Sequence, residues 1–208
     1  GTVNADTINT AGGDDIIVAG GGADQITGGS GDDTITLGTD TAAADVFLAA
    51  AGTDTITGFD TTEDDIDVSA LVGTQVMVAI TTAAQNNLAI ADQDDVYVIA
   101  DGSQSHGSSV AAASIADYED LTDVAAYLSH LSFDGNNGGT GTDLTVGQQM
   151  GFVINDLVGD KTYIYSYTES GVDADVSASD STVSAGELQL AAIVTEESGA
   201  ALVAGDIV

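Results

Sequence analysis

Isoleucine recurs every nine residues at the start of the chain, at Ile8, Ile17, Ile26 and Ile35, and an aspartate stands two places ahead of each, at Asp6, Asp15, Asp24 and Asp33. In register, residues 1–9 read GTVNADTIN, 10–18 TAGGDDIIV, 19–27 AGGGADQIT and 28–36 GGSGDDTIT. One apolar residue between β-prone neighbours, followed by a glycine-rich stretch, is too short a run for a helix. It predicts a three-residue strand at places seven to nine, with the central isoleucine turned inward and a six-residue loop before it. Two such units make one turn of a flattened helix, with strands on two faces and loops along two edges. Loops eighteen residues apart then share an edge, so Asp6 stacks over Asp24 and Asp15 over Asp33.

The pattern loosens after Leu37 without stopping. Asp45 with Phe47 and Asp54 with Ile56 keep the aspartate–apolar pairing, and the step of twelve from Asp33 to Asp45 implies three inserted residues. Residues 58–71, GFDTTEDDIDVSAL, are expected to end the array, with Phe59, Ile66, Val68 and Leu71 closing its core. From Gly73 onward the nonamer is gone. Candidate strands are 76–80, 95–100, 150–155, 162–167 and 187–194. Residues 155–160 between two apolar runs read as a hairpin turn. Tyr163, Tyr165 and Tyr167 alternate along one strand, either as a half-buried face or as a surface for stacking sugars. One helix is expected near 115–131, with Thr122 and Asp123 as caps, Ala125, Leu128 and Leu131 on its inner face, and 115–121 as a separate turn before it. The reading is therefore mainly β: a short parallel β-roll over 1–71 and a β-rich C-terminal domain with one helix over 72–208.

Charge narrows the function classes. Thirty-four acidic residues face one basic residue, Lys161, for a net charge of −33, while 43% of residues are hydrophobic. Such a chain can bury a core, yet its carboxylates repel one another unless cations intervene; an acidic surface suited to salty surroundings accounts for some of the total. A nucleic-acid partner is excluded by the want of Lys and Arg. No apolar run approaches the length of a membrane span, so membrane insertion is not expected. Cysteine and proline are absent. The chain opens in mid-pattern at Gly1, which suggests a C-terminal portion or processed product of something longer.

The nonamers follow G-G-x-G-x-D-x-U-x, U being a large apolar residue, the pattern of calcium-binding parallel β-helix arrays. Calcium takes six to eight oxygen ligands from carboxylates and carbonyls. Glycines let the backbone visit positive φ and turn its carbonyls inward, and the aspartate at place six closes the cage. Candidate carboxylate ligands are Asp6, Asp15, Asp24, Asp33, Asp45 and Asp54. Asp60, Asp64 and Asp65 are candidates for a last ion, or else form a solvated acidic turn. Backbone candidates are the carbonyls of Gly12, Asp14, Gly20, Gly22, Gly29, Gly31 and Gly52. Two weaker candidates lie further on. GGTGTDLTV at 138–146 offers Asp143, with Asp134 and Asn136 before it. Residues 173–187 end in acidic and hydroxyl groups that resemble the last portion of an EF-hand loop without its central glycine. His106 and His130 stand apart and read as ordinary residues.

The nonamers followed by TITGFDTTEDDIDVSAL resemble the RTX family of secreted proteins, whose calcium-bound parallel β-roll is closed by a similar segment in serralysin-type proteases and many cell-surface members. The resemblance covers residues 1–71. Thr2, Val3 and Asn4 in the first unit and Ala49 to Ala51 in the last depart from its glycines. It implies calcium as cofactor and folding coupled to calcium binding. The closing ALVAGDIV is similar to the acidic-then-apolar tail read by type I ABC exporters, which implies export to the extracellular space or cell surface. Catalysis finds no HExxH or G-x-S-x-G motif to rest on, so this segment reads as a non-enzyme. The leading expectation is a structural or adhesive protein, self-assembling or bound to cell-surface polysaccharide. The alternative is the non-catalytic calcium-binding and secretion module of a secreted hydrolase or toxin.

Overall fold

The computed structural model describes residues 1–38, 46–48, 51–72, 76–80, 95–99, 115–128, 146–147, 149–170, 183–197 and 199–208. Asp45, Asp134, Asn136, Asp143, His106 and His130 lie outside the described residues, as do 129–131 of the expected helix.

Seven strands follow the first pattern: β1 (Thr7–Asn9), β2 (Ile16–Val18), β3 (Gln25–Thr27), β4 (Thr34–Thr36), β5 (Val46–Leu48), β6 (Asp54–Phe59) and β7 (Asp65–Asp67). Odd strands build one parallel sheet in the order β1-β3-β5-β7; β2, β4 and β6 lie side by side in a second. Register places Ile8 beside Ile26, Ile26 beside Phe47 and Phe47 beside Ile66, and in the other sheet Ile17 beside Ile35 and Ile35 beside Ile56. Each column is apolar because every unit keeps its large apolar residue at the centre of its strand, whatever the length of the loop before it. Where three residues are inserted after Leu37, the pairing step widens from Ile17–Ile35 to Ile35–Ile56 with no shift of face. Ile17, Ile26, Ile35, Ile56 and Ile66 are buried, as are Phe59 and Val68 of the closing segment, while Leu71 is partly buried. A short helix, α1 (Ser69–Val72), ends this region, its first N–H held by the Asp67 carboxylate.

The second sheet does not stop at β6. It continues through β12 (Leu188–Glu196), β11 (Lys161–Thr168), β10 (Gln149–Asp156), β9 (Asp95–Ile99) and β8 (Val76–Ile80), giving eight strands. β12 lies parallel to β6, with Val194 beside Ile56 and Glu196 beside Phe59 after a bulge. β10 and β11 form an antiparallel hairpin over the expected turn. The sheet thus takes strands from both sides of the 71/72 boundary. Over β9, β10 and β11 both of its faces are covered, whereas the outer face of β2 and β4 is exposed. Val96, Val98, Val153, Ile164, Ala192 and Val194 join the core of the roll, whereas Tyr97, Ile99, Phe152, Ile154 and the three tyrosines of β11 pack on the other side with α2 (Leu121–Leu128). Burial on both faces is why β10 reads as an almost unbroken apolar run rather than an alternating one.

One local expectation is corrected, and one open alternative is narrowed. The cap of α2 is Asp120, whose Oδ1 accepts the Thr122 N–H at 2.9 Å, so Thr122 and Asp123 lie inside the first turn. Residues 115–120 are turn, as expected, and the inner face of the helix is Val124, Ala125, Tyr127 and Leu128. The tyrosines of β11 are buried, Tyr165 donating to the Tyr118 carbonyl and Tyr167 to Glu169, with Tyr163 stacked on Tyr118. The face is thus buried against the turn at 115–120 and α2.

The last residues close the open edge of the first sheet. Ile66 N–H donates to Asp206 O at 2.8 Å, Val208 N–H to Ile66 O at 2.9 Å and Val68 N–H to Val208 O at 3.1 Å, while the Ile207 side chain enters the core. An exposed strand edge invites pairing with other chains, and this segment covers it. Ile207→Ala is expected to cost about 2–5 kcal/mol, read by denaturant unfolding in calcium; a change within experimental scatter would show that the segment does not contribute to the core.

Candidate metal centre

Six-residue loops along each edge stack at backbone contact. A Cβ on Gly29 would meet Ala11 O at 1.9 Å, and one on Gly20 would meet Thr2 O at 2.1 Å. Gly20, Gly22, Gly29, Gly31 and Gly52 also have positive φ, between 100° and 131°. Both facts demand glycine at places two and four. The second unit breaks the rule at place two, where Ala11 takes a φ of 74°. This strained alanine is held by Asn9 Oδ1, which accepts its N–H at 3.0 Å.

The aspartates at place six form a ladder through the stack. Asp24 Oδ1 accepts the Asp6 N–H at 2.8 Å, Asp33 Oδ1 accepts from Asp15 at 2.9 Å, and Asp54 Oδ1 accepts from Asp33 at 3.0 Å. Asp24, Asp33 and Asp54 are buried. Beside Asp15, Asp33 and Asp54, in the same loops, a second ladder runs at place five, where Asp14 Oδ1 accepts from Asp32 and Asp32 Oδ1 from Thr53. Asp6, at the open end, accepts instead from the N–H and hydroxyl of Thr2 in its own loop.

One oxygen of Asp24, Asp33 and Asp54 is thereby used, and the remaining oxygens decide the chemistry. Oδ2 of Asp15 and of Asp33 is buried with no hydrogen-bond donor. A buried anionic oxygen with no donor is costly, and these stand among stacked like charges. Burial pushes the Asp54 carboxyl up to about 6; the Asp33 N–H opposes that rise, and the Asp33 and Asp32 charges add to it. Among the described residues no three acidic or histidine side chains converge, so a cation here must draw its remaining ligands from backbone carbonyls. Hard oxygen donors of both kinds, in loops able to turn their peptides, fit calcium.

The profile of the RTX calcium-binding nonapeptide repeat matches residues 1–35, in four copies. Residues 1–35 are an RTX array. Searches of curated proteins and of solved structures give no match to the chain. RTX arrays bind calcium ions and are typical of secreted proteins, and among the described residues no helix is long and apolar enough to cross a membrane. In this array Asp6 and Asp24 stand on one edge and Asp15 and Asp33 on the other, where Asp54, beyond the matched residues, continues the stack. The ion, when bound, supplies positive charge between neighbouring loops; the chain itself supplies the stacked carboxylates, the turned peptides and the exclusion of water.

Beyond the matched repeats the structure sorts the remaining candidates. Asp64 occupies place six ahead of Ile66 and is buried, its Oδ2 accepting the Asp60 N–H at 2.8 Å. Asp60 instead caps its own turn through the Thr62 N–H and hydroxyl, and Asp65 lies at place seven, within β7. The Asp-x-Ile spacing singles out Asp64 among the three. Gly12 is at place three and bridges Ser30, and Asp14 belongs to the ladder at place five. Glu187, the end of the EF-hand-like stretch, is taken up by four hydrogen bonds from the N–H and hydroxyl groups of Ser170 and Ser184. Burial raises its pKa, but these donors outweigh burial and the net shift is downward. It clamps two loops together; residues 173–182 of that stretch lie outside the described residues.

Two outcomes follow from this geometry. A calcium ion held by Asp54 would compete with protons there, so apparent affinity should fall by up to about tenfold per pH unit below about 6 at its site. Without calcium the sign reverses. The raised carboxyl favours folding below its unfolded value, and that contribution is lost as pH rises through about 6. Calorimetric titration at pH 5 and pH 7, against Asp54→Asn, checks this; equal affinities would sink it. Ala11→Gly should stabilise the protein by ~1 kcal/mol, and a loss of stability would mean that the alanine is not strained.

Proposed function

We propose that this chain is a calcium-conditional structural or adhesive protein of the cell exterior, exported unfolded through a type I ABC exporter and folded by calcium outside. The observation that supports it most is the position of β6. Asp54 at its start belongs to the calcium ladder, and its other edge is the one on which β12 docks. Thr53 reinforces the seam by donating its hydroxyl to Leu190 O at 2.8 Å. Ordering the array therefore presents the edge that completes the remaining sheet, so calcium governs more than the repeats.

On this reading the role is architectural rather than catalytic. Low calcium leaves the carboxylates mutually repelled and the chain open; millimolar calcium closes it. The surface left outside is strongly acidic, suited to assembly through shared cations or to a cell-surface polysaccharide. Circular dichroism of the whole chain should move from disordered to β on adding calcium to chelator-treated protein, with calcium-dependent oligomers or sheets in the electron microscope. Full β signal in chelator would overturn the folding switch, and strictly monomeric protein at high calcium would overturn self-assembly.

A further inference from the structure

Where β10, β11 and β12 meet, three polar side chains come together with too few protons to satisfy them if all acids are ionised. Thr162 Oγ1 on β11 lies 2.5 Å from Asn155 Oδ1 on β10 and 2.6 Å from Glu196 Oε1 on β12. All three residues are buried. The Asn155 amide cannot be turned over. Its Nδ2 donates to Ile99 O and to Leu202 O, both at 3.1 Å, and its Oδ1 accepts the Leu202 N–H at 3.1 Å. Reversal would set oxygen against two carbonyls and nitrogen against an N–H.

Asn155 Oδ1 is therefore an acceptor where it meets Thr162, and the single hydroxyl proton of Thr162 is spent on it. The remaining contact, Thr162 Oγ1 with Glu196 Oε1, then needs a proton from the glutamic acid. We propose that Glu196 is kept as a neutral carboxylic acid, the donor at the head of a buried relay through Thr162 and Asn155 that latches the chain at Leu202 against the sheet. The latch joins β9, β10, β11, β12 and the closing segment in one polar knot.

The surroundings favour the same state. The charges that act on it are negative, Asp160 from the β10–β11 turn and Asp206 near the C-terminus, while Phe59 of β6 is the residue paired with Glu196 across the strands. Lys161, next to Thr162 on β11, forms no ion pair with Glu196 among the described residues. Burial first, then Asp160 and Asp206, push the Glu196 carboxyl up, against the lowering effect of Thr162. The sign follows: the latch is complete below the ordinary glutamate range and is lost as pH rises through the raised value. An ionised Glu196 would take the Thr162 proton for itself and release Asn155 Oδ1 from one partner.

The test uses the whole chain, carbon-13 labelled, in saturating calcium. The assigned Glu196 Cδ resonance should titrate with a midpoint above 4.5; a midpoint at or below that value would overturn the proposal, whatever any variant does. Amide exchange at Leu202 should lose protection as pH passes that midpoint in the wild type but not in Glu196→Gln, whose amide donates at every pH. Thr162→Val, which removes the relay, should lose Leu202 protection across the whole range. Identical pH responses of Leu202 in wild type and Glu196→Gln would show that no proton on Glu196 holds the latch.

Discussion

Like charges stacked out of water are the constraint on which this molecule is built. Asp15, Asp33 and Asp54 stand in line along one edge, each carboxylate after the first using one oxygen to hold the N–H of the unit before it. The hydrogen bonds fix the stack, and the second oxygens make it expensive until a cation lies between the loops. Close approach of the loop backbones leaves no room for side chains at places two and four, which is why glycine recurs there. Sequence period, loop geometry and metal dependence are one fact seen at three scales.

That constraint reaches the rest of the chain through a shared strand. β6 is the last ladder strand of its sheet and the first support of the five-stranded extension beyond it. The apolar column of the roll passes into the underside of that extension, through Val194, Ile164, Val153 and Val98, so the two regions bury one another's surface. A second core on the far face, rich in tyrosine, is sealed by α2 and carries its hydroxyls to internal acceptors.

How much of this could be read from residues alone depends on the range of the information. A period of nine sets strand, inward isoleucine and pairing register in one stroke, because each unit meets its neighbour through identical chemistry. The β10–β11 hairpin was equally plain, its two apolar runs flanking a polar turn. The parallel docking of residues 188–196 on 54–59 was not legible: an apolar strand carries no mark of which distant edge it will join. Asp64 was harder to separate from Asp60 and Asp65 because all three are acidic, although only one stands two places before Ile66. The cap of α2 is easily read two residues late because Asp120, Thr122 and Asp123 all have capping chemistry, and only backbone direction tells them apart. The tyrosines of β11 showed one face and not what covers it.

The parallel docking of β12 on β6 also has a mechanical meaning. The chain enters β6 from the roll and leaves β12 toward the closing segment, so tension between the roll and the far end pulls the two strands in opposite directions along their length. The same holds where Ile207 runs parallel to Ile66. Load of this kind slides one strand past its neighbour, straining the bonds of the seam together; an antiparallel pair joined by a turn and pulled at its open ends would unzip bond by bond. The rate of forced opening is set by that barrier rather than by equilibrium stability. The seam is thus oriented to bear tension.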